Sequence, residues 1–214
     1  QYGHYNTIGT LQLGGQFNEV GLYQEGTGNQ IALAAITGEY NNVGVRQFGN
    51  SNVGNVGVIG DHNDVGVSQT GHDNSANVHV QGNNNFLNAS QNHNAGPNGH
   101  TLTVNIFGSD NNRGSLTGVA ASAVSPLTTG ISWGPGVGQV LQGGGGHTAT
   151  INIGGLGSDS NSNRFATNQQ GQNNTLTATV GGGHGNQFGV SQIGSGNVAS
   201  LTQTGSSNAI GITQ

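Results

Sequence analysis

Cysteine and methionine are absent from this 214-residue chain, which excludes disulfides, thiolate nucleophiles and soft sulfur ligands for metals. Lysine is absent too, and Arg46, Arg113 and Arg164 are the only strong cations against eight acidic residues. The formal net charge of −5 argues against a nucleic-acid surface, which needs clustered Lys and Arg. No stretch reaches the apolar length of a membrane helix, so no membrane insertion is expected. No secretory leader is visible, a pattern shared by mature chains from which a leader has been removed. Leu, Ile, Val and Phe are too sparse for an ordinary globular core. Charged residues, at 5%, are too few for electrostatically expanded disorder. Helix is disfavoured because glycine, with 42 copies, and β-branched residues recur inside every candidate segment.

What is present is a repeat. Between Gly60 and Gln91 a unit of about eleven residues occurs three times as G-x-x-N-x-φ-x-φ-x-(Q or φ), where φ is apolar. Asn63, Val65, Val67 and Gln69 alternate with Asp64, Gly66 and Ser68. Asn74, Ala76, Val78 and Val80 follow, then Asn85, Leu87, Ala89 and Gln91. Period-two alternation is the pattern of a strand with one buried face. Gly and two polar residues between strands supply the chemistry of a tight arc. Arc glycines are expected at Gly26, Gly38, Gly49, Gly60, Gly71, Gly82, Gly171, Gly194 and Gly205.

The same unit threads the chain. Inward positions read Asn6, Ile8, Thr10, Gln12; Asn18, Val20, Leu22, Gln24; Asn29, Ile31, Leu33, Ala35; Asn41, Val43, Val45, Gln47; and Asn52, Gly54, Val56, Val58. After Gln91 comes His100, Leu102, Val104, Ile106; then a strand opening at Asn111 or Asn112 is interrupted and completed by Val140 and Gln142. His147, Ala149, Ile151, Ile153 and Asn163, Phe165, Thr167, Gln169 follow, then Asn174, Leu176, Ala178, Val180 and Asn186, Phe188, Val190, Gln192. Asn197, Ala199, Leu201, Gln203 and Asn208, Ile210, Ile212, Gln214 close the series. Strands ending in Gln take turns with strands ending in an apolar residue, which predicts two strands per rung. The expected fold is all-β: a two-sheet parallel β-solenoid with about 22 residues per rung and about eight rungs, as one domain over 1–214. Residues 117–138, with Pro126, Pro135 and the only tryptophan, Trp133, break the pattern and are expected as an excursion loop, either exposed or used in lateral contacts.

The segments Gln69–Asn74, Gln192–Asn197, Gln203–Asn208, Gln47–Asn52 and Gln24–Asn29 all carry Q-x-G-x-x-N. From Asn197 and from Asn208 the pattern continues as N-x-φ-x-φ-x-Q. This resembles the curlin repeat of bacterial curli fibres, and the resemblance covers nearly all of the chain outside 117–138. It implies a secreted subunit at the bacterial cell surface that polymerises into extracellular amyloid of the biofilm matrix. It also implies a nucleator and secretion or chaperone proteins as partners.

The residues support self-assembly independently. A buried primary amide costs several kcal/mol unless its hydrogen bonds are made. A rung spacing of ~4.8 Å lets one amide bond the next in a ladder, as in steric zippers. Candidate ladder residues are Asn18, Gln24, Asn29, Asn41, Gln47, Asn52, Asn63, Gln69, Asn74, Asn85, Gln91, Asn163, Gln169, Asn174, Asn186, Gln192, Asn197, Gln203, Asn208 and Gln214. The alternative is that these amides face solvent in turns. Strand pattern runs to both ends with no helix, charged strand or proline closing either edge. Asn6, Ile8 and Gln12 at one end, and Asn208, Ile210, Ile212 and Gln214 at the other, are therefore candidate polymerisation edges.

Other chemistry is weakly represented. The eight histidines lack a ligand spacing, so no metal or cofactor is expected; His100 and His147 stand where Asn stands elsewhere and read as ladder or cap substitutes. Asp61, Asp64, Asp73, Asp110 and Asp159 lie in or beside arcs without the nonapeptides of calcium-binding β-rolls, and read as turn formers and gatekeepers. No paired-carboxylate constellation involves Glu19, Glu25 or Glu39, so no enzymatic activity is expected. The outward pairs Thr101/Thr103, Thr148/Thr150 and Thr175/Thr177/Thr179 resemble rows of ice-binding solenoids, but they are not continued at Asn74 to Val80. A soluble monomer binding ice, a glycan or another surface is the alternative function.

Overall fold

The computed structural model describes the chain except residues 10, 125–135 and 155–159, and the side chains of 33 and 34. The expectations at Thr10, Leu33 (its side chain), Pro126, Trp133, Pro135 and Asp159 lie outside the described residues. Chain order begins β1 (Tyr2–His4), β2 (Thr7–Ile8), β3 (Leu13–Gly14), β4 (Glu19–Thr27), β5 (Gln30–Thr37) and β6 (Asn42–Asn50). It continues β7 (Val53–Ile59), β8 (Asp64–His72), β9 (Ser75–Gln81), β10 (Phe86–His93) and β11 (Thr101–Phe107), then helix α1 (Gly118–Val124). β12 (Gln139–Gly145), β13 (Thr148–Ile153), β14 (Arg164–Gln172), β15 (Thr175–Gly181), β16 (Gln187–Ser195), β17 (Val198–Thr204) and β18 (Ala209–Thr213) complete it.

Each arc sends the chain from one sheet to the other. Sheet A runs β1-β4-β6-β8-β10-β12-β14-β16-β18, and sheet B runs β2-β5-β7-β9-β11-β13-β15-β17, with β3 also beside β5. All pairs are parallel, and equivalent residues stack: Val43 on Val65, Gln47 on Gln69, Val78 on Val104. Parallel pairing normally needs a long crossover. Here the crossover is the other sheet's strand, so two strands and two arcs return the chain one rung higher. The chain is thus a two-sheet parallel β-solenoid of about eight turns.

Inward residues of the two sheets form one core, including Val43, Val65, Leu87, Val140, Phe165 and Phe188 from sheet A and Ile31, Val56, Val78, Leu102, Ile151 and Leu176 from sheet B. Phe165 and Phe188 sit one rung apart with rings stacked at 5.2 Å. Two expected inward positions shift. A bulge in β5 lets Ile36 rather than Ala35 pair with Val58, so Ile36 is fully buried. In the rung before it, Leu13 pairs with Ile36, and Gln12 is exposed rather than inward. Ile36 offers about three more apolar carbons than Ala35, and the bulge exchanges one regular ladder step for that burial.

The excursion between β11 and β12 is not a bare loop. Its first part forms α1, which packs on the outer face of sheet A over β16 and β18 and touches β14. Ala120, Ala123 and Val124 are buried there. A Cβ at Gly189 would overlap the Ala120 carbonyl oxygen, and one at Gly211 the Val119 carbonyl oxygen. Small outward residues, Ala166, Gly189 and Gly211 in register, thus let helix backbone lie directly on strand backbone.

Candidate functional site: amide ladders and open edges

Nine glutamines form one ladder along the inner edge of sheet A. Gln1, Gln24, Gln47, Gln69, Gln91, Gln142, Gln169, Gln192 and Gln214 are joined by Nε2–H···Oε1 bonds of 2.8–3.0 Å, each donated toward the rung above. The second amide proton crosses to sheet B. Gln24 donates to Thr7 O, Gln69 to Val53 O, Gln91 to Ser75 O and Gln192 to Thr175 O, at 2.9–3.0 Å. That second bond fixes which amide atom points where, so the ladder has one polarity throughout.

Two asparagine columns flank it with the opposite polarity. In the first, Asn41, Asn63, Asn85, Asn111, Asn163, Asn186 and Asn208 each donate their backbone N–H to the Oδ1 of the Asn one rung below, starting at Asn18, all at 3.0 Å. In the second, Asn29, Asn52, Asn74 and His100 donate in turn to the column rising from Asn6, and Asn197 donates to Asn174. Many of the same side chains donate Nδ2–H upward to an arc glycine: Asn18 to Gly38 O, Asn41 to Gly60 O, Asn63 to Gly82 O and Asn186 to Gly205 O. One short side chain therefore binds the arc below to the arc above.

Glycine is required where those arcs touch. Gly60 has φ +122°, and a Cβ there would overlap the Gly82 carbonyl oxygen. Gly26, Gly38, Gly49, Gly71, Gly82 and Gly171 meet the same obstacle, whereas Gly194 and Gly205 lie at the last rungs with no backbone above them. Sequence reading missed a second left-handed arc position, immediately before the ladder Asn. Tyr40, Ser51, His62, Asp73, Asn84, Asp110, Ser162, Asn173 and Ser207 all occupy it at φ 55–60°. The mixed residue types there gave no signal.

His100 and His147 extend the second Asn column by a different atom. Nδ1 of His100 accepts from His147 N–H, and Nδ1 of His147 accepts from Asn174 N–H, each at 3.2 Å. Both rings are buried and stack at 5.0 Å. Acceptance at Nδ1 requires the neutral ring. Burial favours the same form, lowering His147 and pushing His100 down to about 4.

Several positions differ from the sequence expectation. Gln203 is not in the glutamine ladder: it lies in sheet B beside Val180, donates to Gln187 O, and leaves its buried Oε1 without a partner. Gln1, Gln142 and Asn111 join the ladders. Asn112 substitutes for strand backbone where the excursion leaves, donating to Phe86 O and accepting from Phe165 N–H. The threonines also sit differently. The long excursion in sequence hides that β11, β13 and β15 are neighbours, so Thr101, Thr148 and Thr175 align, as do Thr103, Thr150 and Thr177. The array ends at Ser75 and Asn77 on one side and at Val198 and Ser200 on the other.

Among the described residues, no group of three or more His, Asp or Glu is placed to hold a metal ion, and no helix is long and apolar enough to cross a membrane. At the two ends the ladders stop. β18 pairs with the first part of β16 and β1 with the last part of β4, so neither terminal strand covers its neighbour fully. Comparison with protein-family models, curated proteins and solved structures finds no match for this chain.

Proposed function

We propose that this chain is the structural subunit of an extracellular, curli-like functional amyloid fibre, secreted to the bacterial surface and polymerising end to end for biofilm matrix and adhesion. The observation that carries the reading is the fixed polarity of the ladders at open edges. Gln1 and Gln214 hold the same ladder slot at opposite ends, so in a head-to-tail stack Gln214 takes the place of Gln1 and donates Nε2–H to the Oε1 of the next copy's Gln24. Asn208 and Asn197 present Oδ1 where Asn18 and Asn6 present backbone N–H. Head-to-tail stacking joins donors to acceptors in all three columns, whereas head-to-head stacking sets like against like.

The terminal strands fit the same contact. β18 occupies the first positions of a sheet A strand and β1 the last, so one copy's β18 and the next copy's β1 share a rung. The next copy's β2 then follows β17, and its β4 follows the shared rung. Growth is templated strand addition: the ordered edge fixes register for the arriving chain. A nucleator and export or chaperone proteins are the expected further partners, no nucleic acid is, and no catalytic role is assigned.

Electron microscopy of the chain diluted from strong denaturant into neutral buffer at micromolar concentration tests this. Unbranched filaments whose growth accelerates with seeds are expected. Persistent monodisperse particles ~38 Å long, eight rungs at the strand spacing, overturn it. That outcome turns attention to the second reading, a soluble solenoid binding ice or a glycan, which the three-rung threonine array favours.

A further inference from the structure

The helix α1 lies at one end of the solenoid, and among the described residues its Val119 flank toward that end is exposed. Ala120 lies over Gly189 in β16, while Val119 and Ala123 lie over Gly211 in β18, and Thr213 Oγ1 donates to Ala123 O. On a helix advancing about 100° per residue, Ala123, Ala120 and Val124 form the buried floor, Val124 lies toward the inner rungs, and Val119 lies on the opposite flank, toward the open edge. The exposures agree: Val124 is 6% exposed and Val119 is 56% exposed. Inward of the helix, β14 is touched and its Ala166 is fully buried. Among the described residues β18 is the last strand in the order of sheet A.

The position equivalent to Ala166, Gly189 and Gly211 in the first rungs is Gly21, Gly44 and Gly66. Nothing lies within 4 Å of a Cβ built at Gly21 or Gly44, and the shallow groove over these glycines is bordered by Tyr23, Arg46 and Ser68. In the head-to-tail stack the rung beyond β18 is the next copy's β4. Its Gly21 then stands as far outward of α1 as Ala166 stands inward, because α1 straddles β16 and β18. An α-helix is ~10 Å wide with its side chains, enough to overlie rungs on both sides at ~4.8 Å spacing.

We infer that α1 is a bracket across the subunit junction: its Val119 flank seats on the outer face of the next copy at Gly21, beside Tyr23. The partner is a second copy of this chain, so the inference rests on the head-to-tail reading and adds a side-on contact to the edge hydrogen bonds. The contact reads side-chain size at one position of the incoming chain. Backbone edges alone are common to any parallel β-structure, whereas this flank distinguishes a copy that carries glycine at position 21. The glycine at 44, one rung further, lies beyond its reach.

Matched substitutions test it. Gly21→Val and Gly44→Val place the same strand-favouring side chain on the same face, both in open space in the single chain. Elongation of wild-type seeds by each variant, at equal monomer concentration, is the measurement. Gly21→Val and, separately, Val119→Ser are expected to slow elongation roughly three- to tenfold, the factor of one interface side chain, with Gly44→Val within about twofold of wild type. Equal rates for Gly21→Val and Gly44→Val overturn the bracket while leaving end-to-end assembly intact. A wild-type chain that forms no seedable filaments overturns both.

Discussion

At the residue scale, the side-chain amides act as lattice elements. Each interior Gln accepts from the rung below, donates to the rung above and donates across to the other sheet, so truncating one orphans several partners. Gln47→Ala leaves Gln24 Nε2 without its acceptor, and Gln69 Oε1 and Gln30 O without their donor. A loss of about 3 kcal/mol or more is expected from unpaired buried amides, read as a lower denaturant midpoint of the folded chain or its filaments. A change indistinguishable from that of an exposed Gln→Ala control contradicts the ladder's role. His100 adds a pH dependence. Its pKa falls from 6.5 to about 4 on folding, so the unfolded chain binds the extra proton between those values. Stability is therefore full above pH 6.5 and is lost as pH falls toward 4, by an amount on the order of 2–3 kcal/mol. His100→Asn restores the side-chain acceptor used elsewhere in the column without a titrating ring. Denaturation profiles at pH 7 and pH 4.5 are expected to converge for this variant relative to wild type; an unchanged difference places the pH dependence elsewhere.

At the element scale, the rung was legible because a strand's period of two and an arc's glycine leave separate marks in sequence. Asn63, Val65, Val67 and Gln69 announce both the buried face and the register, since stacking like on like repeats the same letters every rung. The bulge in β5 was not legible: Ala35 fits the alternation, and only the competition for core space by Ile36 displaces it. Gln203 misled for the same reason, as an amide in a slot that neighbouring rungs of sheet B fill with Val180 or Ile153. α1 was hidden because a short run of Ala and Ser has no amphipathic signal, and its receiving surface is marked only by the absence of side chains at Gly189 and Gly211. The arcs allow a sharp contrast between glycines. Gly60→Ala forces a Cβ into the carbonyl of Gly82 at φ +122° and is expected to break the stack locally, costing about 2 kcal/mol or more. Gly44→Ala, in open space within a strand, is expected to be neutral or stabilising by a few tenths of a kcal/mol. Equal effects on the denaturation midpoint would remove the arc contact from the account.

At the scale of the whole molecule, polarity is the property that assembly inherits. The glutamine ladder donates toward β18 and the asparagine columns donate toward β1, so the two ends are chemically different surfaces. In the proposed fibre, each end accepts only the opposite edge of an arriving chain. A chain damaged at one edge then acts as a cap at one end. Ile212→Pro places a residue without an N–H in β18, which pairs with β16 through residues 209–213, and disturbs that edge while leaving β1, β2 and β4 intact. Such a chain still docks by its intact first rungs onto the β18 end of a fibre, and then offers no ordered edge to the next arrival. Added to wild-type monomer at a few per cent, it is expected to arrest growth at one end of each seed while the other end elongates at its usual rate. Two-colour fluorescence microscopy of single filaments reads both ends at once. Arrest at both ends would show that the ends are equivalent, and uninterrupted growth at both would show that the first rungs are not sufficient to dock; either result contradicts a stack built on ladders of fixed direction.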